Sequence, residues 1–367
     1  MARLDAADKK TIGKIEKLAE SVLKATRGGR NPFVEIPIRS LANVKYSEKK
    51  RLIELGSQRQ KRYFFNVSMA KKFMQTFLVS EACKELVDSG KTTSIRDLYY
   101  MTKHALGETK QNTFEEQDES DPIIEDLEVA IDSLREELHL FAKGVGSMVG
   151  PMTIRDSGDT IDLRRMGSGG WGVPSIVEEH VIQFGKYEAK YVLLIEKDAV
   201  WRRFNEDKFW QREKCLIIHG QGQPPRGVRR LVQRLHSELG LPVYVLVDND
   251  PWGFYIYSVV KQGSINLAYE SMRMAVPDAR FIGLSSFDKG TYKLPHNVAI
   301  KMNDQDVARA KQMLAYRWFQ AKQWQDEIQE MVRSGVKFEL EALSRRGISF
   351  ITEEYLPRKL KDKDWLA

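Results

Sequence analysis

Three carboxylates and a pair of phenols are the residues whose types and spacing could do chemistry. Asp248-Asn249-Asp250 closes the run VYVLVDNDPWG, residues 243–253. Side chains alternate along a strand, so Asp248 and Asp250 are expected on one face, about 7 Å apart at the backbone. Glu196 stands near the end of a second apolar run, YVLLIEKDA, residues 191–199. Hard oxygen ligands gathered in this way suit Mg²⁺. Three carboxylates at one place repel each other unless a cation lies between them. Asp250 before Pro251 also reads as a helix N-cap with proline at the first position. The phenols are Tyr99 and Tyr100 in TTSIRDLYYMTKH, residues 92–104. Ser94 can cap a helix on which Arg96 lies one turn before either phenol. A phenol has a pKa of about 10. To attack phosphorus near neutral pH it needs help to become phenolate, which arginine can give while holding a phosphate oxygen. Helical spacing does not choose between Tyr99 and Tyr100.

The elements that position these groups are legible as alternating patterns. Residues 191–199, KCLIIHG at 214–220, and 243–249 read as strands buried on both faces. Helical spacing over 201–210 and 228–239 separates them. Strand–helix–strand–helix–strand predicts a parallel sheet with right-handed crossovers, with Glu196 and the aspartate pair at one edge. The loop 219–225 faces the same edge. The helix after it opens with Arg226, Arg229 and Arg230, and a helix N-terminus with arginines favours phosphate. ARFIGLS, residues 279–285, reads as a further strand. Met313, Leu314, Trp318 and Trp324 mark a helical tail that covers the sheet or forms a dimer contact.

Upstream, Ile12, Ile15, Leu18, Ala19, Val22 and Leu23 recur at helical spacing over residues 6–24, and Gly28-Gly29 ends the pattern. Residues 31–90 are basic. Lys45, Lys49, Lys50, Arg51, Arg59, Lys61, Arg62, Lys71 and Lys72 are interleaved with Tyr46, Tyr63, Phe64 and Phe65. Such residues can neutralise phosphates, or simply form a solvated helix face. A helix from Ser68 to about Val87 stops before Gly90. Asp121-Pro122 starts another, expected to run to Ala142. It carries Glu125, Asp126, Glu128, Asp132, Glu136 and Glu137, so it should avoid a phosphate-lined groove. Residues 148–154 and 160–163 pair across Asp156-Ser157-Gly158-Asp159 as a hairpin that carries Arg155. Gly167, Gly169 and Gly172 match GxGxxG but lack the strand and helix that a dinucleotide site needs. Residues 166–187 fit a flexible linker better.

The 367 residues suggest two or three domains, and 42% hydrophobic residues are ample for a core. The formal charge is +7, from 58 Lys and Arg against 51 Asp and Glu. That excess permits nucleic-acid binding without proving it. Two cysteines, Cys83 and Cys215, exclude a disulfide scaffold or a Cys-rich zinc site. Six scattered histidines lack metal-ligand spacing. No leader and no apolar run of about twenty residues is apparent, so the expectation is a soluble cytoplasmic, nucleoid-associated protein with no membrane partner.

Arg-Asp-x-Tyr-Tyr at 96–100, upstream of Glu196 and Asp248-x-Asp250, resembles the A subunit of archaeal DNA topoisomerase VI and its relative, the meiotic double-strand-break transesterase. VGPMTIRDSGDTIDL, PPRGVRRLVQRL and EYLPRKL extend the resemblance over nearly the whole chain. It implies a multidomain α+β protein with an N-terminal winged-helix, CAP-like domain and a C-terminal α/β TOPRIM domain built on a parallel sheet. The expected boundaries are an extension over 1–67, the winged helix over 68–165 with the hairpin as wing, a linker over 166–187, and TOPRIM with helical elaboration over 188–367. The resemblance makes Tyr100 the nucleophile and Arg96 its partner. It places Mg²⁺ on Glu196, Asp248 and Asp250, with Glu196 doubling as acid or base. DNA contacts are expected from Lys61, Arg62, Lys71, Lys72, Arg155, Arg226, Arg229 and Arg230. It further implies double-stranded DNA as substrate, a homodimer in which Tyr100 of one protomer serves the metal site of the other, and a topoisomerase VI B subunit of the GHKL ATPase type in an A2B2 heterotetramer. No G-x-x-x-x-G-K-[ST] phosphate loop occurs here, so the motor would be borrowed, with the helix at 6–24 as contact. Three alternatives remain: a meiotic-type transesterase that does not reseal, disfavoured by the lack of a long N-terminal extension, a metal-dependent TOPRIM nuclease, and a non-enzymatic DNA-binding module.

Overall fold

The computed structural model describes residues 6–367. The chain divides into two compact units, one of residues up to 45 with 55–143, the other of 46–54 with 144–367.

In the first unit, α1 (Ala6–Arg27) takes the amphipathic stretch and buries Thr11, Ile12 and Ile15. β1 (Phe33–Pro37) follows and pairs antiparallel with β4 (Arg59–Tyr63). Between them in sequence lies the two-stranded pairing of β2 (Val44–Ser47) with β3 (Leu52–Leu55), most of which groups with the second unit. These strands are hidden in the sequence by their charges. The signal is alternation, with Val34 and Ile36 both buried on one face of β1. α2 (Val67–Ser89) is capped by Asn66, which accepts from the Ser68 N–H at 3.0 Å, so Ser68 is not the cap. Gly90, at φ 65°, ends it. α3 (Ile95–Thr102) starts from β5 (Thr93–Ser94), which pairs parallel with β6 (Leu140–Phe141). α4 spans Gln117–Ile131, starting earlier and ending sooner than expected, because Asp132 at φ 49° breaks it. Two of its acids turn inward: Asp126 pairs with Arg39 (2.9 Å) and Arg62, and buried Glu128 accepts from the Arg135 N–H at 2.6 Å. Val79, Cys83, Leu98, Phe114, Leu127 and Leu138 form the core.

The second unit continues with β7 (Ser147–Val149), β8 (Met152–Asp156) and β9 (Asp159–Asp162). β8 and β9 make the expected hairpin, with Ile154 opposite Ile161. It does not belong to the first domain. With β11 (Ile182–Tyr187) it forms a three-stranded antiparallel sheet of the second unit, so the boundary falls near residue 144 rather than 165. Nor is 166–187 a free linker. β10 (Trp171–Gly172) joins the edge of the main sheet, and no helix opens within the GxGxxG match.

The main sheet has six strands in the order β10-β7-β13-β12-β14-β15. β12 (Val192–Ile195), β13 (Leu216–His219), β14 (Val243–Leu246) and β15 (Arg280–Phe281) run parallel, as the apolar runs require, while β7 and β10 add antiparallel. Every residue of β12, β13 and β14 is buried. α5 (Asp198–Glu206) and α6 (Phe209–Glu213) replace the single helix expected at 201–210, broken at Lys208 with φ 51°. α7 (Arg226–Leu239) and α8 (Pro251–Gln262) are the other crossovers. The remaining elements are α9 (Ser271–Met274), α10 (Asp288–Thr291), β16 (Ile300–Lys301), α11 (Asp304–Leu314), α12 (Lys322–Ser334), β17 (Val336–Lys337) and α13 (Leu356–Asp362). Trp324 on α12 packs within 5.4 Å, centroid to centroid, of Phe254, Tyr257 and Phe281, so the tail covers the sheet. Among the described residues no helix is long and apolar enough to cross a membrane.

Candidate active site

In the first unit, α3 separates the two tyrosines. Ser94 caps the helix by accepting from the Asp97 N–H at 3.0 Å. Leu98, Tyr99 and Thr102 form its buried face. The Tyr99 hydroxyl donates to the Glu115 carbonyl at 2.8 Å and accepts from Lys103 Nζ at 2.7 Å. Tyr100, rotated by about 100° along the helix, leaves the core and is 59% exposed. Its ring meets that of Tyr99 edge-on at 5.0 Å. Arg96 is also exposed. The phenol that spacing cannot choose is thus distinguished by packing, since one hydroxyl is committed and the other stands in solvent.

In the second unit, the parallel sheet carries its acids at the carboxyl edge. Glu196 follows β12, and its Oε2 accepts from the Asp248 N–H at 3.2 Å. Asp248 is 3% exposed. Its Oδ1 accepts from the Leu340 N–H at 2.8 Å, and its Oδ2 meets Lys197 Nζ at 2.9 Å. Asp250 caps α8 by accepting from the Gly253 N–H at 2.6 Å. Gly253 is required there, because a Cβ would lie 2.5 Å from the Asp248 carbonyl oxygen. β14 ends at Leu246. Asp248 and Asp250 therefore lie beyond the strand, and the expectation that strand alternation alone aligns them is corrected. Asp250 fulfils the capping reading as well.

Burial, and then the Asp248 charge, pushes Glu196 up to about 7. Burial pushes Asp248 up to about 6 and raises Asp250. Burial is the main cause at all three, and Lys197 and the Leu340 N–H partly offset it at Asp248. Glu196 and Asp248 are brought together directly. Yet among the described residues no group of three or more His, Cys, Asp or Glu is closed around a common point. The donor set itself, all hard oxygen at a buried edge, fits a divalent cation of the Mg²⁺ type.

The expected DNA contacts divide. Lys61, Lys71, Lys72 and Arg155 are exposed; Lys61 lies over the Phe33 ring at 4.5 Å and Lys71 is 3.3 Å from Glu119. The others are corrected. Arg62 is 9% exposed and paired with Asp126. Arg226 and Arg229, each 5% exposed, share the fully buried Glu270 at 3.2 and 2.8 Å. Arg230 holds Glu178 at 2.7 Å. Their charge is used on carboxylates distant in sequence, which a helix-terminus argument does not see. Sequence reasoning also misses Lys197. Its signal is a lysine at the N-cap of α5, a position that favours Asp, Asn or Ser.

Comparison with known protein families assigns this acid-edged α/β sheet, and the unit whose helix presents an exposed tyrosine, to the TOPRIM-bearing topoisomerase class. Residues 191–360 match the Toprim domain of the topoisomerase 6 A-chain and Spo11 family. Residues 71–140 match the Type IIB DNA topoisomerase model, and 144–186 the All-beta domain in DNA topoisomerase VI alpha subunit. The type 2 DNA topoisomerase 6 A subunit of Pyrococcus horikoshii is 44% identical over 96% of this chain and 94% of its own length. That of Hyperthermus butylicus is 41% identical over 98% and 97%, and that of Methanothermobacter thermautotrophicus 34% over 95% and 97%. The chain belongs to the family of topoisomerase VI A subunits, the DNA-cleaving subunits of type IIB topoisomerases. It is one component of a multi-subunit enzyme, and TOPRIM topoisomerases are typically metal-dependent.

Proposed function

We propose that Tyr100 is the nucleophile of a reversible DNA transesterification. Its phenolic oxygen forms a bond to the phosphorus of a phosphodiester while the bond from phosphorus to the 3′-oxygen breaks. The phenolic proton passes to a base, and the leaving 3′-oxygen takes up a proton. The products are a 5′-phosphotyrosine link and a free 3′-hydroxyl. The ester retains the bond energy, so the reverse attack reseals the strand. Arg96, on the same exposed face, favours the phenolate and holds a phosphate oxygen. Glu196, Asp248 and Asp250 would hold Mg²⁺, which supplies charge neutralisation and positioning of the phosphate; Glu196 doubles as acid or base.

Lys61, Lys71, Lys72 and Arg155 are the DNA contacts that the exposed surface supports. Two cuts in a duplex need two tyrosines, so the working form is a two-fold homodimer. It joins two topoisomerase VI B subunits of the GHKL ATPase type as A2B2, with α1 as contact, and acts on double-stranded DNA in the cytoplasm at the nucleoid. Residues 68–143, whose tyrosine helix packs on α2 and α4, are read as the helical part of the winged-helix domain, without the hairpin expected as its wing.

The observation that carries the reading is the opposite fate of the two phenols on α3: Tyr99 OH is bonded twice, and Tyr100 is 59% exposed. The test is denaturation of a reaction on labelled duplex DNA with ATP, Mg²⁺ and the B subunit present, followed by a search for label fixed to protein. Wild type and Tyr99→Phe should carry label and Tyr100→Phe none. An adduct on Tyr100→Phe would refute the assignment.

A further inference from the structure

Beside the proposed metal ligands lies a cation that the mechanism has not used. Lys197 sits at the N-cap of α5, yet its side chain does not serve the helix. A positive charge at a helix N-terminus is disfavoured by the aligned peptide dipoles. The side chain instead reaches a nest of acids: Asp248 Oδ2 at 2.9 Å, Glu341 Oε2 at 3.0 Å and Glu339 Oε2 at 3.4 Å. Asp248 is buried, while Glu339 and Glu341 have side chains 51% and 44% exposed. One ammonium thus touches a proposed metal ligand on one side and two solvent-facing carboxylates on the other.

We propose that Lys197 is a resident counter-cation that the metal must displace, with Glu339 and Glu341 as the place that receives it. The inference rests on the metal reading of Glu196, Asp248 and Asp250. An unpaired carboxylate at 3% exposure is strongly disfavoured. The ammonium compensates the Asp248 charge until a metal takes its place. A divalent ion on Asp248 would lie too close to the ammonium for both to stay, because like charges a few ångströms apart repel strongly away from bulk water. Lys197 need not then leave the site. A change of side-chain rotamers suffices to give up Asp248 while keeping Glu341 and Glu339. Lys197 is in this sense a positioning residue that sets metal affinity.

The experiment uses Mn²⁺ as probe, titrated into the full chain and read by EPR as loss of the free-ion signal. Lys197→Met should bind Mn²⁺ roughly tenfold tighter than wild type, a shift of the size that losing one close ionic competitor gives. Lys197→Arg, which keeps the cation, should stay near wild type. The double variant Glu339→Gln/Glu341→Gln, at exposed positions, should bind Mn²⁺ more weakly, because the ammonium loses its second berth. Lys322→Met controls for charge alone. Lys322 pairs with Asp326 at 2.6 Å on the exposed side of α12, not with a proposed ligand, and its loss should shift affinity by no more than about twofold, because a solvent-exposed charge is largely screened. Equal shifts in Lys197→Met and Lys322→Met, or none in Lys197→Met, overturn the displacement. Glu196→Gln separates the two levels: Mn²⁺ binding indifferent to it means the ion sits elsewhere, and then the metal reading falls and this inference with it.

Discussion

A single position on a short helix decides which phenol is buried and which is exposed. Tyr99 faces the core and gives both hydrogen-bonding directions of its hydroxyl to Glu115 and Lys103. Tyr99→Phe should therefore lower stability by about 1 kcal/mol, the usual net worth of a hydrogen bond, and keep cleavage. Tyr100→Phe should leave stability and DNA affinity nearly unchanged, since one hydroxyl adds little to a phosphate-dominated interface. Thermal melts and a binding titration check both. Asp248→Ala should suppress adduct formation and weaken Mn²⁺ binding, as should excess chelator with the unmodified chain. Full cleavage under either condition counts against the metal role. At this scale the sequence is half legible. Arg96, Tyr99 and Tyr100 are found by type and spacing, but an eight-residue helix has too few apolar positions to show which phenol faces inward. The neighbour that settles it, Glu115, lies 16 residues on from Tyr99.

The elements are legible where one pattern dominates. The β-branched runs at 192–195, 216–219 and 243–246 could only be strands buried on both faces, and they are parallel neighbours. Patterns fail where partners are distant. Arg226 and Arg229 open α7, where arginines suggest phosphate, but Glu270 takes both from more than forty residues away. Glu270→Gln should therefore destabilise the second unit by about 3 kcal/mol, because it leaves buried guanidinium charge uncompensated. Denaturant unfolding measures it, and a change under about 0.5 kcal/mol, typical of surface substitutions, would contradict the pairing. The end of α8 offers a pH test. Lys261 Nζ donates to the Pro277 and Ala279 carbonyls at 2.8 Å each, and burial lowers its pKa to about 8. In the unfolded chain a lysine titrates near about 10.4. Between those values the unfolded state binds the extra proton, so stability rises with pH. Relative to Lys261→Met, the wild type should gain stability from pH 8 upward and level off near pH 10. A flat difference in stability across that window would rule this out.

The sequence suggests two working parts joined by a spacer, and the division falls elsewhere in the molecule. The hairpin at 152–162 looks like a wing because its turn sequence is strong and local. What assigns it to the second unit is pairing with residues 182–187 across some twenty residues of irregular chain. Trp171 and Gly172 lie in that stretch, and their two-residue strand is too short for any periodicity to reveal. Function at this scale concerns the energy source. The chain has no phosphate loop of the G-x-x-x-x-G-K-[ST] kind. Alone it should bind DNA yet fail to relax supercoiled plasmid with ATP and Mg²⁺, and gain relaxation when the B subunit is added. Topoisomers resolved on a gel decide between this and a self-sufficient enzyme.

The twin tyrosines also fix the register of their helix. A one-residue slip in the register of α3 would carry Tyr100 off by about 100° and turn position 99 toward solvent. Such a slip would pull the Tyr99 hydroxyl from the Glu115 carbonyl and Lys103 and its ring from the core, at a cost of about 1 kcal/mol per lost hydrogen bond before the lost packing is counted. The buried phenol is thus the peg that fixes where its exposed neighbour points.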